Sequence, residues 1–257
     1  MIGITSEMTA VGWGDRVREA AVLPASYPLA LQQAGCVPLV LGPWPWPAAR
    51  LMASLDGLLL ADTLAATRPG AVPPSGPGGP ADGAREAAER SLVRAAVEAG
   101  LPVLAIGRGL HVFNLARGGA ESLADADQGR SDAPARELRL SQDSALGQLL
   151  GLGVTVPAAD LTGPALGRLG RGLTAVAWAD DQAVEAVELA GHPFAIGMRW
   201  HPGKSDRAKL LERLLAAAAV RAAGRPGRAE TADAAGQAEN AGQVKEAPKA
   251  RAGTASS

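Results

Sequence analysis

The chain has 257 residues, 47% of them hydrophobic but only 3% aromatic, with a formal net charge of −1 at pH 7. This length accommodates one large domain or two small ones, around an aliphatic core. The balanced charge gives no basic surplus for nucleic acid, and no apolar run approaches the roughly 18 residues that a membrane span requires. We therefore expect a cytoplasmic protein without nucleic-acid or membrane partners. The single cysteine, Cys36, excludes an internal disulfide and lies in an apolar run typical of a buried, inert thiol.

The first half of the chain alternates between short apolar runs and helical patterns. The apolar runs predict strands at 2–5, 36–41, 55–61 and 102–106. The helical patterns predict helices at 27–34, 47–54 and 84–99, of which the first and last stop at glycines. The polar stretch 7–18 and the stretch 69–83, rich in Pro and Gly, predict loops. This alternation predicts an α/β fold of three layers, with a mostly parallel central sheet and helices on both faces.

The second half has weaker patterns. Short apolar runs predict strands at 137–140 and 154–156, with a helical turn at 145–150. Alternation over 172–177 and 183–188 predicts a hairpin, and 205–222 predicts a last helix. We expect one α/β domain over residues 1–222. From Gly224 onward Val244 is the only aliphatic residue apart from alanine, so we expect 223–257 to be a disordered tail.

The sequence around Gly107 has the pattern of a sharp strand-to-helix turn. The apolar run 101–106 is followed by Gly107-Arg108-Gly109, and Leu110 and Phe113 then begin a helical pattern. In nucleophile-elbow enzymes a turn of this kind exposes the nucleophile at the end of the sheet and at a helix N-terminus. We therefore expect Gly107 at such a turn, near the C-terminal edge of the sheet.

Two motifs give the chain a resemblance to a known family. Residues 105–111 with Asn114 and Gly118-Gly119 resemble the G-I-C-R-G-L-Q-x-x-N and Gly-Gly pattern of class I glutamine amidotransferase-like proteins, in their γ-glutamyl hydrolase branch. Residues 194–202 resemble that branch's G-V-Q-W-H-P-E. The resemblance implies the flavodoxin-like class I glutamine amidotransferase fold and hydrolysis of γ-glutamyl amides, such as γ-glutamyl-γ-aminobutyrate in polyamine catabolism.

The resemblance also assigns the catalytic positions, and two of three are altered. His201 matches the catalytic His, whereas Gly107 stands where the family has its Cys and Gly203 where it has its Glu. Thiolate attack requires a His to move the proton and a carboxylate to orient that His. The sequence therefore predicts a pseudoenzyme. We expect the Cα atoms of Gly107 and His201 to lie within about 12 Å, the reach of a side chain plus a small ligand.

The resemblance places oxyanion or ligand-binding groups next to these positions. Arg108 and Gly109 follow the nucleophile position, and Ala61-Asp62 stands where the family has a Gly-Gly. Asp62 would put a negative charge beside a developing negative charge, which disfavours hydrolysis further.

Several nearby residues have two interpretations. His111 either lines the same cleft or is a partly buried structural group, and His201 either contacts a ligand or is an inherited structural residue. Arg108 and Arg199 either hold a carboxylate or are solvated at the surface. A metal site of His111, His201 and Asp62 lacks ligand spacing, so we expect neither a metal nor a cofactor. Trp44 and Trp46 either pack on the sheet edge or form a contact surface.

Three function classes follow from these residues. The first is a catalytically inactive relative of the γ-glutamyl hydrolases that binds a small γ-glutamyl or carboxylate ligand, or a protein partner. The second is an active hydrolase that works without a cysteine. The third is a different enzyme that uses Asp62, His111 or His201 as acid or base. We favour the first, because Gly107 and both of its neighbours lack a nucleophilic side chain.

Overall fold

The computed structural model describes residues 1–14, 16–61, 80–122, 134–157, 160–161 and 165–224, with the side chains of 80–82 excepted. Met1–Arg221 forms one compact unit, and a second unit begins at Ala222. The predicted disorder of 223–257 falls almost wholly outside the described residues, as does most of the predicted loop 69–83. Among the described helices, none is long and apolar enough to cross a membrane.

The described elements alternate in the first half and become strand-rich in the second. The strands are β1 Ile2–Thr5, β2 Glu7–Trp13, β3 Arg16–Val22, β4 Pro38–Leu41, β5 Gly57–Leu60, β6 Val103–Ile106, β7 Arg136–Leu140, β8 Gly153–Val156, β9 Leu173–Trp178, β10 Val184–Leu189 and β11 Ala195–Met198. The helices are α1 Ser26–Gln33, α2 Ala48–Ser54, α3 Pro80–Glu98, α4 Arg108–Ala116, α5 Ala145–Leu150 and α6 Lys204–Ala223.

Nine strands form the central sheet, in the order β4-β1-β5-β6-β11-β10-β9-β7-β8. The first five strands in this order, which are β4, β1, β5, β6 and β11, are parallel. Their register places Ile106 of β6 opposite Met198 of β11. The remaining four strands extend the sheet with antiparallel pairs, including the predicted hairpin of β9 and β10. Because the parallel strands share one direction, their carboxyl ends meet at one edge, and this edge carries the candidate site.

Helices cover both faces of this sheet, as predicted for the α/β class. One core contains Leu31 of α1 and Leu210 and Leu214 of α6. The other core lies under α2, α3 and α4 and contains Val93 and Phe113. The strands between them, such as β5 and β6, are buried along their whole length, which explains their continuous apolar sequence.

The predicted loop at 7–18 is wrong. These residues form most of a separate two-stranded hairpin, β2 paired antiparallel with β3. Gly14, at φ 64°, supplies the positive φ that a tight hairpin turn requires. The hairpin leaves Trp13 71% and Val17 75% exposed, so it has no buried face to give an alternating hydrophobic pattern.

Two further details differ from the sequence expectations. Helix α3 begins at Pro80, inside the predicted loop 69–83, because proline fits the first turn of a helix, where no backbone N–H needs an intrahelical acceptor. Cys36 is half-buried rather than buried. Burial raises the pKa of its thiol, which favours the protonated form, and the inertness of this thiol stays a prediction.

Gly109 allows α4 to pack directly against β5. A Cβ at Gly109 would lie 2.7 Å from the Leu60 carbonyl oxygen and 2.9 Å from the Leu60 Cβ. Substitution G109A should therefore lower the free energy of unfolding by about 1–3 kcal/mol, measured by urea denaturation.

The matched control is G83A in α3, where a Cβ would meet no described atom within 4 Å. It should raise the free energy of unfolding by about 0.5–1 kcal/mol, since alanine is the better helix former. Equal effects of the two substitutions would contradict the close packing at Gly109.

Candidate functional site

Gly107 forms the predicted strand-to-helix turn. It follows β6 directly and is the N-cap residue of α4, with φ 59° and ψ −121°. Its N–H donates to the Met198 carbonyl oxygen at 2.8 Å, and its own carbonyl oxygen accepts from the Leu110 N–H at 3.0 Å. These two bonds fix the turn between the sheet and the helix. The elbow backbone is therefore present although the residue has no side chain.

His201 follows β11, the strand next to β6, at the same edge of the sheet. Its side chain is half-buried, and its backbone N–H donates to the Asp160 carbonyl oxygen at 2.9 Å. Met198, which accepts the Gly107 N–H, lies three residues before His201 in the chain. The topology thus brings both motifs to one edge, and the separation of about 12 Å or less between their Cα atoms stays a prediction.

Gly203 lies just before α6 and is exposed. Its carbonyl oxygen accepts from the Arg207 N–H at 2.8 Å, which begins the helix. A Cβ built on Gly203 meets none of the described atoms within 4 Å. The surroundings that the structure describes therefore leave room for a larger side chain at this position.

The guanidinium of Arg108 is paired with a carboxylate on α3 instead of being only solvated. Arg108 Nη1 donates to Glu89 Oε2, and Arg85 Nε donates to Glu89 Oε1 at 3.1 Å. Arg85 Nη1 also donates to Glu7 Oε2 at 3.4 Å. Two carboxylates thus balance two guanidinium groups beside the elbow. Glu7 and Glu89 were not anticipated as site residues, although the spacing of Arg85 and Glu89 is that of a helical ion pair.

His111, one turn along α4 from Gly107, is a buried group. It is 4% exposed, and its Nδ1 lies 3.8 Å from Glu121 Oε1. Burial raises the pKa of the Glu121 carboxyl, repulsion from Glu86 adds to this rise, and attraction to Arg108 opposes it. With so little exposure, His111 fits the structural interpretation better than a place in an open cleft.

Arg199, the second candidate cation, forms a buried ion pair with β10. Its Nε and Nη2 donate to the two carboxylate oxygens of Glu185 at 2.6 and 2.7 Å, and Arg136 Nη1 lies 3.8 Å from the same carboxylate. Arg199 is 2% exposed and Glu185 is fully buried, so solvation of Arg199 at the surface is wrong. Glu185, Ala186 and Val187 are all buried in β10, so alternation along this strand does not single out Glu185 in the sequence.

The segment that the resemblance assigns to the second oxyanion group is described only up to Ala61. This residue follows β5 and is 2% exposed, whereas Asp62 lies outside the described residues. Within the described residues, no three His, Cys, Asp or Glu side chains converge as a metal site. The hypothetical set of His111, His201 and Asp62 includes an undescribed residue and stays untested.

The strand-to-helix elbow on a parallel sheet, with a His at the end of the neighbouring strand, defines a class I glutamine amidotransferase-like protein. A glutamine amidotransferase of Methylobacillus flagellatus has the same fold, with a TM-score of 0.52 at 16% identity over 78% of this chain and 68% of that one. Residues 1–203 match the Peptidase C26 family model, and the chain belongs to that family.

Relatives with assigned names agree with this classification. The chain is 33% identical over 243 residues to a "Putative glutamine amidotransferase" of Mycobacterium tuberculosis, covering 90% of this chain and 78% of that protein. It is 27% identical over 215 residues to the γ-glutamyl-γ-aminobutyrate hydrolase of Escherichia coli (strain K12), covering 78% of this chain and 82% of the hydrolase.

The Glu185–Arg199 pair should contribute measurably to stability. Substitution E185Q leaves the buried Arg199 without its carboxylate, and breaking a buried ion pair in this way costs about 3–5 kcal/mol. Urea denaturation of E185Q, R199Q and the double variant forms a double-mutant cycle. We expect the double variant to lose clearly less stability than the sum of the single losses. Additive losses would show that the two side chains do not interact energetically.

Proposed function

We propose that this protein binds a small γ-glutamyl or other carboxylate-bearing ligand at the elbow and does not hydrolyse it. The observation that carries the proposal is the combination found at residue 107. The backbone there has the elbow conformation, φ 59° and ψ −121°, but the residue is glycine. This combination supports binding without attack, because the elbow backbone is present while a nucleophilic side chain is missing.

The N-terminus of α4 supplies the attraction for a carboxylate. The first N–H groups of a helix have no intrahelical acceptor, and the helix dipole favours negative charge at this end. Glycine at position 107 lets a ligand approach the backbone closely, since no Cβ stands in the way. The charges of Arg108 and Arg199 are balanced by Glu89 and Glu185, so the helix terminus, and not an uncompensated guanidinium, carries the recognition.

Hydrolysis should fail for two independent reasons. Gly107 offers no thiolate to attack the amide carbon, and Gly203 offers no carboxylate to orient His201. Loss of a nucleophile from such a unit typically costs on the order of 10⁶ in turnover. The assignment of γ-glutamyl ligands is supported by the name of the Escherichia coli relative, which acts on γ-glutamyl-γ-aminobutyrate. The alternative, hydrolysis of such amides without a cysteine, requires a different nucleophile or an activated water in the same cleft.

The activity test is release of ammonia from glutamine and of glutamate from γ-glutamyl-γ-aminobutyrate. We expect no measurable turnover by the unmodified protein. The variants G107C and G107C/G203E should gain some turnover, because the elbow is formed and the surroundings of Gly203 are open. Rescue should stay incomplete, because Asp62 replaces a glycine at the oxyanion position and loss of one oxyanion donor costs roughly 10² to 10³ in rate.

The variant H201A separates the outcomes of that assay. Turnover by the unmodified protein that survives H201A indicates a contaminating enzyme. Turnover that disappears with H201A would contradict the non-catalytic proposal and would favour hydrolysis without a cysteine.

Ligand binding can be measured directly by calorimetric titration with γ-glutamyl-γ-aminobutyrate and glutamate. We expect saturable binding that H201A weakens several-fold. His192 provides the matched control, since it precedes β11 whereas His201 follows it, so the two lie at opposite ends of one strand. Substitution H192A should leave the affinity unchanged. Absence of binding, or equal effects of the two substitutions, would contradict a ligand site at the elbow.

A further inference from the structure

Exposed apolar side chains are concentrated at one end of the sheet. Five of the nine large hydrophobic residues that are well exposed in the described structure lie on α1, on β4 or beside them. We call these five the edge patch: Leu29 at 53% exposure, Val37 at 66%, Leu39 at 37%, Val40 at 47% and Trp44 at 48%. Exposed apolar side chains gathered around one end of a sheet in this way mark an interaction site.

The segment of the chain that forms this region carries almost no charge of its own. From Ala20 to Leu55 the sequence contains one charged residue, Arg50, although 20% of the whole chain is charged. Depletion of charge is the compositional signature of the central part of a protein interface. Because the five side chains of the edge patch are uncharged, they cannot form ion pairs with an acidic or basic partner. The lack of charge does suit contact with an identical surface, because any charge in such a contact would face a charge of the same sign and be repelled.

Among the described strands, β4 is the last of the sheet and pairs only with β1. The carbonyl oxygens of Val37 and Leu41 accept N–H groups from β1 and the residue after it at 3.0 Å, so the intervening Pro38 and Val40 direct their backbone groups outward. Pro38 has no N–H, which leaves Val40 as the outward donor. Two copies of β4, antiparallel about a two-fold axis at Val40, would exchange a reciprocal pair of N–H···O hydrogen bonds.

Trp44 is a preorganised anchor within the edge patch. Its ring covers Gly42 so closely that a Cβ there would lie 1.9 Å from it. The neighbouring Trp46 donates from Nε1 to the Gly42 carbonyl oxygen at 2.9 Å, and the two indole rings are 5.8 Å apart. Trp46 packs on the core, as one interpretation of this pair expected, whereas Trp44 stays half exposed and available for a contact. A rigid, exposed Trp is a typical energetic centre of an interface.

We propose that the edge patch is the contact between two copies of this chain, related by a two-fold axis near Val40. A stable interface requires about 800 Å² from each partner, which is more than a four-residue strand offers. Helix α1 with Leu29 and the proline-rich turn with Trp44 therefore take part on either side of the strand. The contact is isologous, so a single substitution changes the interface twice.

The test is the molar mass in solution of the full chain, measured by sedimentation equilibrium over a range of concentrations. The unmodified protein should move from the 26.0 kDa monomer to twice that mass. Substitution V40E places two carboxylates near the axis and should leave the protein monomeric at the same concentrations. The matched control is V220E, because Val220 is 77% exposed and belongs to the end of α6 rather than to α1, β4 or the turn after β4. It should dimerise like the unmodified protein.

Circular dichroism must show that V40E is folded. If it is not, L29E on α1 replaces it as the test, with the same expected loss of the dimer. An unmodified protein that stays monomeric at every concentration overturns the proposal and leaves the patch to a different partner. A folded V40E or L29E that dimerises normally also overturns it, as does an equal loss of the dimer in V220E.

Discussion

The backbone conformation at Gly107 is the constraint on which the site depends. With φ 59° and ψ −121°, this residue turns the chain from a buried strand into α4. The turn aims the helix N-terminus at the carboxyl edge of the sheet and brings it beside the strand that leads to His201. A residue with a side chain would be strained there by about 1–3 kcal/mol, a cost that active elbows accept in order to expose a nucleophile. Glycine forms the same turn without that strain, so the elbow backbone forms here without a nucleophilic side chain.

Two ion-pair networks hold the elements around this turn. Glu89 joins the elbow to α3 through Arg108, and Glu185 joins β10 to the residue that precedes Trp200-His201 through Arg199. Because both carboxylates are buried, each guanidinium is needed to offset the cost of removing a charge from water. The networks consequently fix geometry and pair the charges of Arg108 and Arg199 with carboxylates. For this reason the proposed anionic ligand is assigned to the helix terminus and not to a guanidinium group.

The sequence predicts those features that arise from local patterns. Buried parallel strands such as β6 are continuous apolar runs, and the two glycines mark the turn because Gly107 has a positive φ and Gly109 lies close against Leu60. The hairpin of β2 and β3 escaped prediction, since it is a separate two-stranded sheet in which apolar residues such as Trp13 and Val17 are exposed, so its sequence lacks the pattern of a buried strand. The partners of Arg108 and Arg199 also escaped, because these pairs join residues that are distant along the chain. The start of α3 at Pro80 shows the reverse case, in which a residue typical of loops begins a helix.

The free energy of unfolding of G107A tests most directly whether the fold imposes this conformation. We predict a loss of about 1–3 kcal/mol in urea denaturation relative to the unmodified protein, because alanine is strained at positive φ. The reference variant is G12A in the exposed hairpin, where a Cβ meets none of the described atoms within 4 Å, and it should change little. If G107A is as stable as the unmodified protein, residue 107 is not held in the elbow conformation, and the account of the site fails.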